Sequence, residues 1–228
     1  MASFGYPVCL DLGGRRCVVI GGGTVAEQKV RGLLDGEGDV VVIAGEVTPG
    51  LERLAGEGAL EIVRRDYARG DLDGAFVAIA ATDDPDVNAA VHEEGTAGRV
   101  LVNSVDDIAH CHFSVPSTVR RGELTVAVST GGKAPALSKK LRKMLSARLG
   151  PEYADLVEVV GEVRTTARPE RARVDFETWA TRWELGLDDD VMAMVADGRL
   201  DEARSRLLAV LAGDVGPRPL ADGSPVGS

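Results

Sequence analysis

Arg16-Cys-Val-Val-Ile-Gly-Gly-Gly-Thr-Val-Ala-Glu-Gln-Lys29 is the stretch that decides the fold. Its β-branched run, 18–20, predicts a buried strand, and the apolar spacing that follows predicts a helix. Gly21, Gly23 and Ala26 occupy the positions of a G-x-G-x-x-G/A fingerprint. In that fingerprint small residues permit a tight turn, an approach of a pyrophosphate to the backbone and close packing of the helix. The stretch therefore predicts a dinucleotide-binding unit, with a purely structural glycine turn as the alternative.

Continuous apolar runs recur downstream of this unit. They span residues 40–43, 76–80 and 100–102, and the run 60–63, which Glu61 interrupts, predicts a further strand between the first two. Unbroken apolar strands are typical of a parallel sheet that is covered on both faces. Helical patterns separate the runs, so the fold class is α/β with a Rossmann-type parallel sheet.

The pattern changes after residue 112. Two β-rich runs around Gly122 predict a hairpin, and Pro135 suits the first turn of a helix with an apolar stripe. Beyond Pro151 the apolar spacing predicts a small helical domain, with helices over 152–165, 174–186, 188–197 and 200–212. We therefore divide the chain into a Rossmann domain 1–112, a β-hairpin/helix region 113–150, a helical domain 151–213 and a disordered tail 214–228.

Composition excludes several classes of protein. The net charge of −10 argues against nucleic acid as the partner. We expect no membrane association, because no apolar run reaches the length of a membrane span and the N-terminus lacks a basic-then-apolar signal. The three cysteines are an odd number without C-x-x-C spacing, which favours a reduced, cytoplasmic protein.

Positive charge is concentrated in one segment of this acidic chain. Residues 120–148 contain eight Lys or Arg side chains against Glu123 alone. Within the segment, Ser129 to Lys133 form a loop rich in glycine and hydroxyls before a helix N-terminus, which suits an anion or carboxylate. A solvated basic helix with an ordinary capped loop is the alternative.

Polar residues follow the predicted strands where a cofactor would lie. Glu46 comes 25 positions after Gly21 and suits the adenosine ribose hydroxyls, although it could be an ordinary loop carboxylate. The absence of Lys and Arg between residues 39 and 52 favours NAD over NADP. Thr82 and Asp83 follow the fourth strand, where an aspartate could instead cap the next helix.

Asp106 follows the fifth strand, where the nicotinamide should lie. A carboxylate there can accept the proton that accompanies a hydride transfer. His110 and His112 follow with Cys111 between them, and a strand would place both imidazoles on one face. They could contact a metal or substrate transiently or be ordinary edge residues; no permanent metal site is predicted, since a fourth ligand is missing.

Four ordered segments together resemble a known family. They are Val19-Ile-Gly-Gly-Gly-Thr-Val-Ala-Glu-Gln-Lys29, Ile79-Ala-Ala-Thr-Asp-Asp84, Val102-Asn-Ser-Val-Asp106 and Val126-Ala-Val-Ser-Thr-Gly-Gly-Lys-Ala-Pro135. The family is the precorrin-2 dehydrogenase / sirohydrochlorin ferrochelatase family, which includes the N-terminal part of siroheme synthase. The resemblance covers about residues 5–165. It implies a homodimer, formed through the 113–150 region, that uses NAD to oxidise the tetrapyrrole precorrin-2 to sirohydrochlorin. In some members Fe²⁺ insertion to siroheme, a lyase reaction, follows.

The resemblance also implies roles for individual residues. Asp106 would be the catalytic residue. With the arguments above, the cofactor-binding residues are predicted to be Gly21, Gly23, Thr24, Val25, Gly45, Glu46, Thr82, Asp83 and Asn103. The substrate-binding residues are predicted to be Ser129, Thr130, Gly131, Lys133 and His112. Ser104 stands where the family usually carries a hydrophobic residue, and the variable 107–112 segment leaves iron chelation open.

Two other functions stay open on the sequence. One is an NAD-sensing regulatory Rossmann module, which would not need the Ser129–Pro135 loop and its basic helix. The other is a chelatase or tetrapyrrole carrier without dehydrogenase activity.

Overall fold

The alternating apolar runs form a five-stranded parallel sheet in the computed structural model, which describes residues 5–214. The strands are β1 (Arg16–Ile20), β2 (Asp39–Ile43), β3 (Glu61–Val63), β4 (Val77–Ala80) and β5 (Leu101–Ser104). The connecting helices are α1 (Thr24–Leu34), α2 (Pro49–Gly56) and α3 (Pro85–Gly98). The strand order is β3-β2-β1-β4-β5, so the chain reverses its direction of winding between β1 and β4. Ligands of doubly wound sheets bind at such a switch point, outside the carboxyl ends of the strands.

Both faces of the sheet are buried, as the unbroken apolar runs predict. Val19 and Val42 pack with α1 and α2 residues on one face, while Val18 and Ile20 pack with Val91 of α3 on the other. Successive residues of a strand point to opposite faces, so a strand covered on both sides must be apolar throughout. The Rossmann-type α/β fold is therefore confirmed.

The rest of the chain forms a hairpin and helices. The hairpin strands are β6 (Ser117–Arg121) and β7 (Leu124–Val128), which pair antiparallel. The helices are α4 (Pro135–Arg148), α5 (Glu152–Thr166), α6 (Arg168–Arg171), α7 (Phe176–Gly186), α8 (Asp189–Ala196) and α9 (Leu200–Ala212). The predicted hairpin and four late helices are confirmed, and the structure adds the short α6.

Contacts divide the described chain into two compact units. The first comprises residues 5–116 and 129–135, and the second comprises 117–128 and 136–214. The predicted boundaries at 112 and 150 do not coincide with these limits, because the chain leaves the first unit for the hairpin and returns for one loop. The functional domain division stays a prediction, and all but the first residue of the predicted tail lie outside the described residues.

The second unit has its own core and its own cap. Val159, Val163, Val191, Leu207 and Leu211 are buried together, on the three helices α5, α8 and α9. The guanidinium of the hairpin residue at position 121 donates hydrogen bonds to the carbonyls of residues 146 and 149, at the C-terminal end of α4. These bonds satisfy carbonyls that have no partner within a helix.

The lead-in differs from its predicted role. In residues 1–15 the alternation of Phe4, Tyr6, Val8 and Leu10 predicts a short extended piece that covers the sheet, but Tyr6 and Val8 are 88% and 60% exposed and belong to no strand. Phe4, the first member of the alternation, lies outside the described residues. The alternating residues therefore do not cover the sheet, although Leu12 of the same lead-in packs against its core; α1, α2 and α3 cover the two faces.

Candidate active site at the carboxyl edge of the parallel sheet

The three glycines after β1 have different steric environments. Gly21 has φ +112°, and a Cβ built on it would lie 2.3 Å from the carbonyl oxygen of Ala81. A Cβ on Gly22 would lie 2.0 Å from the carbonyl oxygen of Glu46. Gly23, in contrast, has no protein atom within 4 Å of its built Cβ. The first two glycines are needed by the protein itself, whereas Gly23 leaves open space at the switch point.

The N-terminus of α1 faces this open space without a side-chain cap. Gly23 is the N-cap residue and supplies no side-chain hydrogen bond, and Thr24 and Val25 are exposed. The first backbone N–H groups of a helix have no partner within it, and the helix dipole adds positive charge there. The turn therefore offers an anion site of the kind that holds a pyrophosphate.

The loop after β2 forms the next part of the rim. Gly45 and Glu46 are exposed, as a ribose contact requires. The loop is held in place by Thr48, which caps α2 through the N–H of Leu51 and donates a 2.5 Å hydrogen bond to Glu27 of α1. This hydrogen bond is the main cause of the lowered pKa of Glu27. The packing thus fixes where Glu46 stands relative to the glycine turn.

Two arginines reach this side of the sheet from β3. The absence of Lys and Arg between residues 39 and 52 did not reveal them. Arg64 and Arg65 follow β3, which pairs with β2. Arg64 forms a salt bridge with Glu52, and Arg65 one with Asp71 at 2.5 Å. Both guanidinium groups therefore already have carboxylate partners.

Of the residues after β4, one caps α3 and the others lie at the rim of the sheet. Asp84 accepts hydrogen bonds from the N–H groups of residues 86 and 87, so it is the aspartate that caps α3. Asp83 is exposed beside it. The Thr82 hydroxyl is 2.9 Å from Oδ1 of Asn88, which ties the loop to the helix. Cofactor contacts of Thr82 and Asp83 stay predictions.

Asp106 stands at the end of β5 in an uncommon backbone conformation. Its φ is +59°, in the left-handed region, and its side chain is exposed. Asn and Asp tolerate this region better than other non-glycine residues. The neighbouring Asn103 is buried and donates to the carbonyl oxygen of Phe113 at 2.9 Å. Asn103 therefore shapes the rim from within, and its contact with a cofactor stays a prediction.

The segment after Asp106 folds differently from the predicted strand. Residues 108–110 form a 3-10 helix, so His110 and His112 do not share the face of one strand, and that prediction was wrong. Nδ1 of His110 lies 2.6 Å from Oδ2 of Asp107, and this hydrogen bond is the main cause of the lowered Asp107 pKa. The chain turns because it returns along the free edge of β5, where the N–H of His112 donates to the carbonyl oxygen of Val102 at 2.8 Å.

His92 on α3 joins these two histidines, and sequence reasoning missed it. Its ring centroid lies 5.2 Å from that of His110 and 4.8 Å from that of His112. Burial is the main cause of its lowered pKa, followed by the neighbouring imidazoles. No local motif marks His92, since it is 18 residues from His110; the only available signal was that the chain has three histidines. His112 has ring nitrogens 3.1 Å from both Thr96 Oγ1 and the backbone nitrogen at 102, which favours a structural role.

The second glycine-rich loop packs beside the Asp106 segment. A Cβ built on Gly132 would lie 2.9 Å from Cδ1 of Ile108, in the 3-10 helix. Gly131 and Gly132 have φ of +59° and +80°, which allows the chain to turn tightly there. The N–H of Gly131 also donates a hydrogen bond to the hydroxyl oxygen of Ser129. The predicted substrate residues Ser129, Thr130, Gly131 and Lys133 lie in this loop and are exposed or partly exposed. The fold therefore brings the hydroxyl-rich loop to the segment that follows Asp106.

Ser104 provides a stability test of this edge. Its hydroxyl is buried and has no hydrogen-bond partner among the described protein atoms. An unsatisfied buried hydroxyl costs about 1–3 kcal/mol, so we expect Ser104→Ala to raise the free energy of unfolding by about 1 kcal/mol in urea titrations. Thr82→Val, which removes a bonded hydroxyl, should lower it. A less stable Ser104→Ala variant would mean that the hydroxyl has a partner.

Comparisons with known proteins agree with this geometry. Residues 8–117 match a family model described as putative NAD(P)-binding, and residues 121–148 match one described as the central part of a sirohaem biosynthesis protein. The siroheme synthase of Photobacterium profundum is 36% identical over 202 residues, which are 89% of this chain and 43% of that protein. Siroheme synthase 1 of Serratia proteamaculans is 37% identical over 207 residues, covering 88% and 42%. The chain thus spans less than half the length of these relatives.

A solved structure matches over nearly its whole length. It is described as SirC, precorrin-2 dehydrogenase, and superposes with a TM-score of 0.70 and 26% sequence identity. The match covers 89% of this chain and 98% of that one. In the part of the chain that the structure describes, no helix has the length and apolarity needed to cross a bilayer. The chain is therefore similar to siroheme synthases, of which it spans less than half, and to a precorrin-2 dehydrogenase along nearly the whole of that protein.

Proposed function

We propose that the chain catalyses the NAD-dependent dehydrogenation of precorrin-2 to sirohydrochlorin, in the biosynthesis of siroheme. The observation that carries this proposal is the arrangement of one sheet edge. An open helix N-terminus behind Gly23, the exposed carboxylate of Asp106 and the Ser129–Lys133 loop all belong to the same compact unit. A dehydrogenase of an acidic substrate needs these three elements: a dinucleotide site, a base and an anion site.

The glycine turn fits NAD. The open space at Gly23 and the uncapped N–H groups at Thr24 and Val25 would hold the pyrophosphate. Exposed Gly45 and Glu46 would contact the adenosine ribose, and Thr82, Asp83 and Asn103 would line the path toward the nicotinamide. When bound, NAD⁺ supplies the acceptor for the hydride.

Asp106 is the proposed acceptor of the proton that the reaction releases. Dehydrogenation removes two hydrogens from precorrin-2: one leaves as a hydride to NAD⁺, and the other leaves as a proton. The Asp106 carboxylate accepts this proton, since it is exposed at the rim and is not paired with a cation by any salt bridge within residues 5–214. Its left-handed backbone directs the chain away from β5 at this point.

The acidic substrate fits the basic segment. Precorrin-2 is rich in carboxylates, and Ser129, Thr130, Gly131 and Lys133 would bind them through hydroxyl, backbone and ammonium donors. On α4 the side chains of Lys139, Lys140 and Lys143 are exposed, so they add a positive field in an otherwise acidic protein.

The direct test is a turnover assay. The purified chain is incubated with precorrin-2 and NAD⁺, and NADH and the sirohydrochlorin spectrum are followed together. Equal amounts of both products are expected. If NAD binds in calorimetry while neither product forms and no tetrapyrrole binds, an NAD-sensing module is the correct reading. Fe²⁺ insertion into sirohydrochlorin without any NAD-dependent step would instead identify a chelatase or carrier.

Iron insertion is a second candidate activity of the same site. The observation that favours it is the position of two imidazoles. His110 lies four residues beyond Asp106, and His92 on α3 lies next to His110. Insertion of Fe²⁺ as a substrate releases two pyrrole protons, for which Asp106 could serve again. The product spectrum with and without Fe²⁺ decides whether siroheme forms.

We also propose that the protein is a cytoplasmic homodimer. On α4, Leu137 and Met144 are 48% and 49% exposed, and Ser138 is the buried residue of that helix. Exposed apolar side chains on a helix are typical of a surface that a second copy covers. Sedimentation equilibrium should give twice the mass of the chain, and a monomer at micromolar concentration would contradict the dimer.

Glu46 is expected to contribute to NAD affinity. Glu46→Gln should weaken NAD binding about tenfold, because a hydrogen bond to a charged group contributes about 1.5–3 kcal/mol. Glu57→Gln, an exposed acid at the C-cap of α2, is the matched control and should leave NAD binding unchanged. Calorimetric titration with NAD⁺ measures both. Equal affinities for the two variants would make Glu46 an ordinary loop carboxylate.

A further inference from the structure

The three histidines of the chain lie beside the free edge of β5, and two of them face a common groove. The groove is open, has a volume of about 680 Å³, and is lined by His92, His110, Asp86 and Glu93 among α3 and 3-10 helix residues. Glu93 is paired with Arg69, on the loop between β3 and β4. The groove therefore combines imidazole rings with carboxylates in an acidic protein.

The hydrogen bonds distinguish the three imidazoles. His112 has one ring nitrogen at the backbone of β5 and the other at Thr96, so both are engaged. His110 has Nδ1 engaged by Asp107, which leaves Nε2 available. His92 makes ring contacts with the other two and no side-chain hydrogen bond within residues 5–214. Two imidazoles thus keep a nitrogen that can accept a new partner.

Asp107 contacts His110 in the way that a carboxylate contacts a histidine that binds a metal ion. Ligating histidines usually donate their other ring N–H to a carboxylate, which fixes the ring and raises its basicity. The 2.6 Å bond from His110 to Asp107 supplies this support before any ion binds. The 5.2 Å between the His92 and His110 ring centroids is a separation at which two imidazoles can share one ion.

We propose that His92 and His110 form an exchangeable binding site for a divalent transition metal ion. Imidazole nitrogens suit Fe²⁺, Co²⁺, Ni²⁺ and Zn²⁺, and water completes the coordination. No three His, Cys, Asp or Glu residues in the described chain are arranged to hold an ion together. The site is therefore a two-imidazole site open to solvent, which accepts and releases an ion, and not a closed structural site. It does not depend on dehydrogenase activity.

The test uses Co²⁺ alone as the probe, added to the full chain and followed by calorimetry and absorption. We expect one Co²⁺ per chain, with His92→Gln and His110→Gln each weakening binding at least tenfold. Asp107→Asn should weaken it about tenfold or more, because the support of His110 is lost. His112→Gln is the matched control and should change the affinity less than threefold.

A cysteine variant keeps the proposal testable if a glutamine variant folds poorly. His92→Cys should still bind Co²⁺ and add a thiolate-to-cobalt charge-transfer band, which mere packing of three aromatic rings would not produce. Absence of Co²⁺ binding to the wild-type chain, wild-type affinity in both glutamine variants, or equal losses in His112→Gln would overturn the assignment. Dehydrogenation of precorrin-2 is measured separately on the metal-free protein, so failure of one proposal does not decide the other.

Discussion

Asp106→Asn is expected to lower the rate of precorrin-2 dehydrogenation by about 10²–10⁴-fold while NAD⁺ still binds, because positioned proton transfer contributes rate factors of this size. Asparagine is the sharpest replacement, since it is nearly isosteric and, like aspartate, tolerates the left-handed backbone at φ +59°. The substitution thus removes the base and leaves the fold. Single-turnover formation of NADH, with NAD⁺ affinity from calorimetry, measures the two effects separately.

Two controls belong to this experiment. Glu37 is another acidic residue with a left-handed backbone, at φ +60°, and it lies between α1 and β2, at the opposite edge of the sheet. Glu37→Gln should leave the rate unchanged. Asp106→Ala should lose the same activity and some stability, because alanine is disfavoured at this φ. A wild-type rate in Asp106→Asn would remove Asp106 from the chemistry.

Gly23→Ala is expected to weaken NAD binding strongly without affecting the stability of the apoprotein. The built Cβ meets no protein atom within 4 Å, and φ −76° suits alanine, so the free energy of unfolding should change by less than about 0.5 kcal/mol. The methyl group would instead occupy the space through which a pyrophosphate approaches the backbone. NAD⁺ titration should show a loss of affinity of at least tenfold.

Gly21→Ala is the contrasting variant. Its Cβ would lie 2.3 Å from the carbonyl oxygen of Ala81, and its φ of +112° is strained for any L-residue. This variant should lose roughly 2–4 kcal/mol of stability, from overpacking and backbone strain together. The two glycines of one fingerprint are thus expected to fail for different reasons. Unchanged NAD affinity in a stable Gly23→Ala variant would place the cofactor elsewhere.

Local patterns were enough for most of the fold. The strands β1 to β5, the hairpin and the late helices follow from apolar spacing and turn residues, because a doubly covered strand and an amphipathic helix each leave a distinct period in the sequence. The competition between Asp83 and Asp84 for the cap of α3 was not decided by spacing. The backbone direction at the start of the helix decided it, and only Asp84 reaches the free N–H groups.

The site divides in the same way. Residues that follow a strand, such as Glu46 and Asp106, could be placed at the rim from the sequence, since the carboxyl ends of parallel strands meet at one edge. Contacts between residues that are far apart along the chain could not be placed from the sequence. His92 meets His110 across 18 positions, and Gly132 packs on Ile108 across 24, because the chain reverses after β5 and returns after the hairpin.

The sequence by itself determined the parallel sheet, the glycine turn and the strand ends that bear Glu46 and Asp106, because each is a local consequence of residue type and period. Only the tertiary structure decided which of three glycines stands open to a ligand and that Ser104 is left without a hydrogen-bond partner. It also decided that two imidazoles share a groove with carboxylates. Such features depend on the approach of distant segments, and the distance between two atoms in space is not encoded in their separation along the chain.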